Sequence, residues 1–117
     1  MKSPERSLRA LGDKNRLLLL RLVLERPMSV GDLTVQAQLG QSLVSHHLAV
    51  LARHGWVTSR RRGRQRIYTA ATSSGPLGAL ARWIKLQVPL PETWQASPTD
   101  AAASGSRARG DLEDYLL

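Results

Sequence analysis

Residues 41–70 read QSLVSHHLAVLARHGWVTSRRRGRQRIYTA, and two hydrophobic periods meet within them. Up to Arg53 the apolar positions recur at helical spacing: Val44, Leu48 and Leu51 stand at i, i+4 and i+7 and so share one face. Ser42, His46, Ala49 and Arg53 fall on the opposite face, with Gln41 and Ser45 toward its N-terminal end. His54-Gly55 is a pair that ends helices. From Trp56 the pattern changes to alternation. Val57, Thr58, Ile67 and Tyr68 are good strand formers, and Gly63 sits at the tip of a hairpin. The thirty residues carry six arginines and no acidic side chain.

Working outward, Ser29 opens a short helix (VGDLTVQAQ), with Asp32 three residues on in the manner of a capping box. Leu39-Gly40 forms the turn into the helix that starts at Gln41. Two short helices joined by a tight turn and followed by a basic hairpin predict a winged helix-turn-helix. Upstream, residues 3–11 can form a first helix, with Ser3 as cap and Pro4 at its first position. Asp13 is placed to cap a second helix from Lys14 to about Glu25, ended by Pro27. Its dense apolar positions predict that it is largely buried. Downstream, Ser73, Ser74 and Pro76 open a fifth helix to about Gln87, which Pro89 and Pro91 close. Leu77, Leu80, Ala81, Ile84 and Val88 line one of its faces. The fold class is mainly α with a small β-hairpin, in α-α-α-α-β-β-α order. The domain is expected over residues 3–88, and the Ala-, Ser-, Pro- and Gly-rich residues 89–117 are expected to be a disordered tail ending in the acidic DLEDYLL.

The chain of 117 residues has a net charge of +8, which points to a polyanionic partner. The charge is uneven. Residues 29–70 set six arginines against Asp32 alone, whereas residues 92–117 set Arg107 and Arg109 against five acids. There is no cysteine, which excludes disulfides and thiolate metal sites and fits a cytoplasmic, nucleoid-associated protein. No apolar run is long enough to span a bilayer, and the N-terminus lacks a signal-peptide core, so no membrane association is expected. Enzymatic function is not expected either. Between Arg26 and Pro91 Asp32 is the only acid, and no nucleophile–base pair or phosphate-cradling glycine loop is visible.

The polar face of the fourth helix (Gln41, Ser42, Ser45, His46, Ala49, Arg53) is small and free of acids, as suits a helix lying deep in a DNA major groove and reading base edges. A merely solvated face would mix Glu and Lys, and neither occurs there. In the hairpin Arg60, Arg61, Arg62, Arg64 and Arg66 surround Gly63, and guanidinium groups grip phosphates bidentately. His47 stands beside the apolar stripe and is expected to be half-buried packing. The spacings of His46, His47 and His54 do not chelate a metal, so no metal or cofactor is expected. The partner is expected to be double-stranded DNA. The alternative is a winged-helix module that binds nucleic acid nonspecifically or docks on a protein.

These residues resemble the bacterial arsenical-resistance repressor (ArsR/SmtB-type) family over about residues 8–70. ALGDKNRLLLLRLV is similar to that family's helix opening, SVGDLTVQAQLGQSLVSHHLAVLARHGWV to its helix-turn-helix, and RRRGRQRIYTA to its wing. VSHHLAVL followed by an R-x-G-R wing is the specific part. The resemblance implies a homodimeric repressor that binds an inverted-repeat operator. It also implies a dimer interface from the first and fifth helices, for which Leu8, Leu11, Leu77, Leu80 and Ile84 are the candidates. Where many relatives carry a Cys-x-Cys pair this chain has Ser29 and Gly31, and residues 76–88 contain none of the His, Asp or Glu ligands of other relatives. The resemblance therefore implies no metal sensing, and the effector, whether small molecule, protein or none, is left open. Gln38 stands where a turn Gly is common, Gly40 where Ser caps, Lys14 where Pro is usual, and Arg62 where Glu is frequent.

Overall fold

The computed structural model describes residues 4–71 and 75–95. Along them run α1 (Pro4–Ala10), α2 (Lys14–Glu25), β1 (Met28–Ser29), α3 (Val30–Ala37), α4 (Gln41–Arg53), β2 (Val57–Arg62), β3 (Gln65–Ala70) and α5 (Gly75–Gln87). Ser3, Ser73 and Ser74, expected to open the first and last helices, lie outside the described residues. The fold is a mainly helical winged helix-turn-helix, with one correction to the expected order. The hairpin is part of a three-stranded antiparallel sheet, ordered β1-β3-β2, because Met28 pairs with Tyr68 and Ser29 with Ile67.

The helix starts follow from local chemistry. The Asp13 carboxylate accepts from the backbone N–H groups of Asn15 and Arg16 at 2.8 and 3.1 Å. The Ser29 hydroxyl accepts from the N–H of Asp32 at 3.1 Å. Each satisfies donors that an α-helix leaves orphaned in its first turn. Gly40 caps α4 without a side-chain bond. Between α3 and α4 the chain turns on Gln38, whose φ of 57° is left-handed, a conformation in which a side chain costs energy that glycine does not.

The core lies where α2, α3 and α4 meet the sheet and α5. Leu19, Leu20, Leu22, Leu33, Val44, Leu48, Leu51 and Trp56 are wholly buried. Trp56 is more than a strand opener: its indole N–H donates to the Ser7 carbonyl at 2.7 Å. The Ser7 hydroxyl donates to the His54 carbonyl at 2.9 Å. These bonds fasten α1 to the junction of α4 and β2. Ile84 is 2% exposed and packs into the same core, so its side chain is occupied within the chain.

The ordered fold continues past residue 88, where the domain was expected to stop. Arg21, buried in α2, donates from Nε to the Val88 carbonyl at 2.6 Å and pairs with Glu25 at 3.1 Å. The Gln36 side chain, on α3, makes two bonds to the backbone of Gln95: its amide donates to the carbonyl at 2.7 Å, and its oxygen accepts the N–H at 3.1 Å. The Arg26 guanidinium lies 5.2 Å from the Trp94 ring centroid, within range of a cation–π contact. Residues 88–95 thus form a strap over α2 and α3. The rest of the expected tail, residues 96–117, lies outside the described residues.

Candidate nucleic-acid interface

α4 is positioned by its apolar stripe. With Val44, Leu48 and Leu51 wholly buried, the opposite face must look outward. Gln41, Ser42, Ser45, His46, Ala49 and Arg53 are all exposed. They form one polar stripe that contains no acid.

His47 is held differently. It is 5% exposed, more buried than the half-buried position expected from the sequence. Its Nδ1 lies 3.2 Å from a guanidinium nitrogen of Arg16, and its Nε2 lies 3.9 Å from the Asp13 carboxylate. Arg16 can only donate, so a hydrogen bond here requires Nδ1 to accept, which favours the neutral imidazole with its proton on Nε2 facing Asp13. Burial lowers the His47 pKa below its ordinary 6.5, opposed by the Asp13 charge. The Asp13 carboxyl is itself lowered, chiefly by the Arg16 backbone N–H. The cluster ties the middle of α4 to the start of α2. Sequence spacing places His47 against Leu43 and His54, and only the folded chain brings Arg16 and Asp13 to it.

The wing is β2, β3 and their turn. Arg62 pairs with Gln65, leaving Gly63 and Arg64 as a two-residue loop. Gly63 has φ 64° and Arg64 is not left-handed, which is the pattern of a type II′ hairpin turn. Arg60, Arg61, Arg62, Gly63, Arg64 and Arg66 are all exposed. The pleat sorts them between two faces. Arg60 and Arg62 look toward an open cavity that also holds Asp32, so a carboxylate stands near them. Arg61 and Arg66 are directly opposite each other across the strands. Like charges so placed repel, and no carboxylate lies in the hairpin to offset them. Arg66 also donates to the Ser59 hydroxyl at 3.0 Å.

The wing and α4 meet in a groove. Arg64, Gln65 and Arg66 line it with Gln41 and Ser45 of α4 and with Ser29, Val30 and Gly31 at the start of α3. The positive end of the α3 dipole therefore adds to the arginine field. Gln41 and Ser45 of α4 and Arg64 and Arg66 of the wing, singled out from sequence, thus line one groove, while Arg60 and Arg62 lie on the wing's other face.

A family model described as "Bacterial regulatory protein, arsR family" matches residues 13–59. The solved structure of reduced HlyU from Vibrio cholerae N16961 superposes with a TM-score of 0.64 at 31% identity, covering 73% of this chain and 88% of that one. The chain belongs to the arsR family. Among curated relatives of this arsR-family chain, the transcriptional activator HlyU of Vibrio cholerae is 36% identical over 66 residues, covering 56% of this chain. The HTH-type transcriptional regulator NmtR of Mycobacterium tuberculosis is 38% identical over 63 residues, covering 54% of this chain. The chain spans only 61% and 52% of the lengths of these two relatives. A homodimeric winged helix-turn-helix DNA-binding domain from Mycobacterium bovis shares the fold, with a TM-score of 0.62 at 23% identity over 70% of this chain and 74% of that one.

The candidate dimer residues are dispersed. Leu8 is 52% exposed, Leu11, Leu77 and Leu80 are half-buried, and Ile84 is in the core. The free apolar surface of α5 belongs instead to Trp83 and Leu86, 57% and 81% exposed. Sequence periodicity missed both because they lie off the stripe that packs inward. Among the described residues no group of three or more His, Cys, Asp or Glu side chains is placed to hold a metal ion, and no helix is long and apolar enough to cross a membrane.

Proposed function

We propose that the chain is a sequence-specific, double-stranded-DNA-binding transcriptional regulator that works as a homodimer on an inverted-repeat operator. The observation that carries the reading is the acid-free groove in which Arg64 and Arg66 join Gln41 and Ser45, with Arg61 opposite Arg66 across the strands. A phosphate between the two guanidinium groups would relieve their repulsion. In this arrangement α4 enters the major groove, Gln41, Ser42, Ser45 and His46 meet base edges, Ala49 allows close approach, and Arg53 and the wing hold phosphates. Leu8 on α1 and Trp83 and Leu86 on α5 supply exposed apolar surface for a second copy, which an inverted repeat requires.

Two signs of regulation have support. The family resemblance favours repression, whereas HlyU, a relative at 36% identity, is named an activator. A reporter gene behind the bound operator distinguishes them by whether loss of the protein raises or lowers expression. The DNA reading is tested by the salt dependence of duplex binding. Each phosphate contact contributes about 0.9 to the slope of log K against log salt. Wild type should show a steep slope, and Arg61→Ala and Arg66→Ala should each reduce it by about one. A flat slope, or one the substitutions leave unchanged, overturns the reading.

A further inference from the structure

At the end of α4 away from the wing lies a second basic surface. Arg6 and Arg9 of α1, Arg16 of α2, and Arg53 and His54 at the C-terminus of α4 line an open cavity of about 360 Å³, with Ala10 and Val50 as its apolar wall. No carboxylate lines it. Arg16 is held in place, its Nε donating to the Ala10 carbonyl and its Nη1 meeting His47 Nδ1. Among the described residues the side chains of Arg6, Arg9 and Arg53 have no hydrogen bond or ion pair, although each lines a cavity of like charges. Cations at helix C-termini complement the dipole, and that accounts for Arg9 and Arg53, each in the last turn of its helix. It does not account for Arg6 or Arg16, nor for four arginines lining one space.

We propose that this cavity binds a small phosphate-type oxyanion, free in solution, clamped by Arg6, Arg9, Arg16 and Arg53. Arginines lining a concave site carry planar donor forks that match the oxygens of a phosphate or a polycarboxylate. The volume is at the low end of small-molecule sites, about 300–1,000 Å³, which leaves room for an anion with a modest organic part. A second copy of the chain need not cover the cavity. At about 100° per residue, Arg6 lies about 160° around α1 from Leu8 and Arg9 about 100°, so neither shares Leu8's side of the helix. The consequence for regulation rests on the DNA-binding reading. Arg53 belongs both to this cavity and to the exposed stripe of α4, so a bound anion withdraws one cation from the DNA-facing surface and lowers operator affinity.

Calorimetric titration of the whole chain with pyrophosphate, at ionic strength fixed with chloride, tests the site without DNA. Saturable binding of one pyrophosphate per chain is expected. Arg6→Gln/Arg9→Gln should weaken it about tenfold or more, as the loss of two charge-assisted contacts implies, while Arg61→Gln/Arg64→Gln in the wing leaves it within about twofold. Circular dichroism of each variant checks that these exposed substitutions leave the fold intact. No saturable binding, or equal weakening by the wing pair, overturns the proposal. A cavity pair that lowers duplex affinity as much as the wing pair does also overturns it, since the guanidinium groups would then serve the DNA backbone. Absence of any duplex binding, with the pyrophosphate results as expected, would sink the DNA reading and leave the cavity assignment standing.

Discussion

At the scale of single residues, Arg61 and Arg66 face each other across the wing as like charges, a pairing that an anion between them would relieve. Arginine-to-phosphate contacts carry no sequence information, whereas contacts to base edges do. Arg61→Ala and Arg64→Ala are therefore expected to lower affinity for every duplex alike. Ser45→Ala and His46→Ala should instead change sequence preference, by about 1–3 kcal/mol at the base pair concerned. Affinity measured on selected and scrambled duplexes separates the two groups, and equal losses on both duplexes for both groups would reverse the role assignment. Gln38 provides a separate test in stability. Its left-handed φ of 57° makes Gln38→Gly stabilising by about 0.5–1 kcal/mol in urea unfolding, where a helical or extended position would be destabilised.

His47 adds a pH dependence. Because the folded protein holds its pKa below 6.5, the unfolded chain takes up the proton first. The stability due to neutral His47 is complete above 6.5 and is lost as pH falls from there through the lowered folded value. Unfolding midpoints should drop between about pH 7 and 5 in wild type and drop less in His47→Gln. Parallel profiles would mean that Arg16 and Asp13 do not hold the imidazole neutral.

At the scale of elements, what could be read from sequence was what has a period or a cap. α4 could be traced because Val44, Leu48 and Leu51 repeat at helical spacing, and its start and end agree with the expected residues. Asp13 and Ser29 were readable as caps because an N-cap bond spans only two or three residues of chain. The acid-free stripe on α4 and the arginine loop needed no long-range information, and the fold brought them to one groove. β1 was not readable, since two residues after Pro27 carry no alternation and become a strand only through pairing with β3. The strap was hidden for a similar reason. Pro89 and Pro91 announce the end of a helix, while the bonds that hold residues 88–95 reach back to Arg21 and Gln36. Gln36→Ala removes two of those bonds and is expected to cost about 1–2 kcal/mol. Hydrogen exchange at residues 88–95 should speed up in that variant, and unchanged protection would show that the strap is held by other contacts.

At the scale of the whole molecule, two basic surfaces flank the polar stripe of α4: the wing groove at its N-terminal end and the four-arginine cavity at its C-terminal end. Of the exposed large apolar side chains, Leu8, Trp83 and Leu86 sit elsewhere, on α1 and α5, whereas Val35 and Leu43 lie on α3 and α4. In the proposed assembly the α1 and α5 group meets a second copy while α4 and the wing meet a duplex. Charge placed on the apolar patch, as in Trp83→Glu with Leu86→Glu, should convert a dimer to a monomer in sedimentation. It should also weaken binding to a two-half-site duplex much more than to a single half-site. A variant that remains dimeric would show that the second copy uses a different surface.

The measurement that bears most directly on the central claim is selection of bound fragments from a pool of random duplex DNA, followed by salt titration of the winner against its scrambled counterpart. Sequence-specific reading by two copies of α4 predicts an enriched inverted repeat with half-sites about one helical turn apart, bound at least about a thousandfold more tightly than the scrambled duplex at physiological salt. Recovery of no motif, with both duplexes bound equally and released together as salt rises, would contradict it and leave the arginines with a nonspecific role.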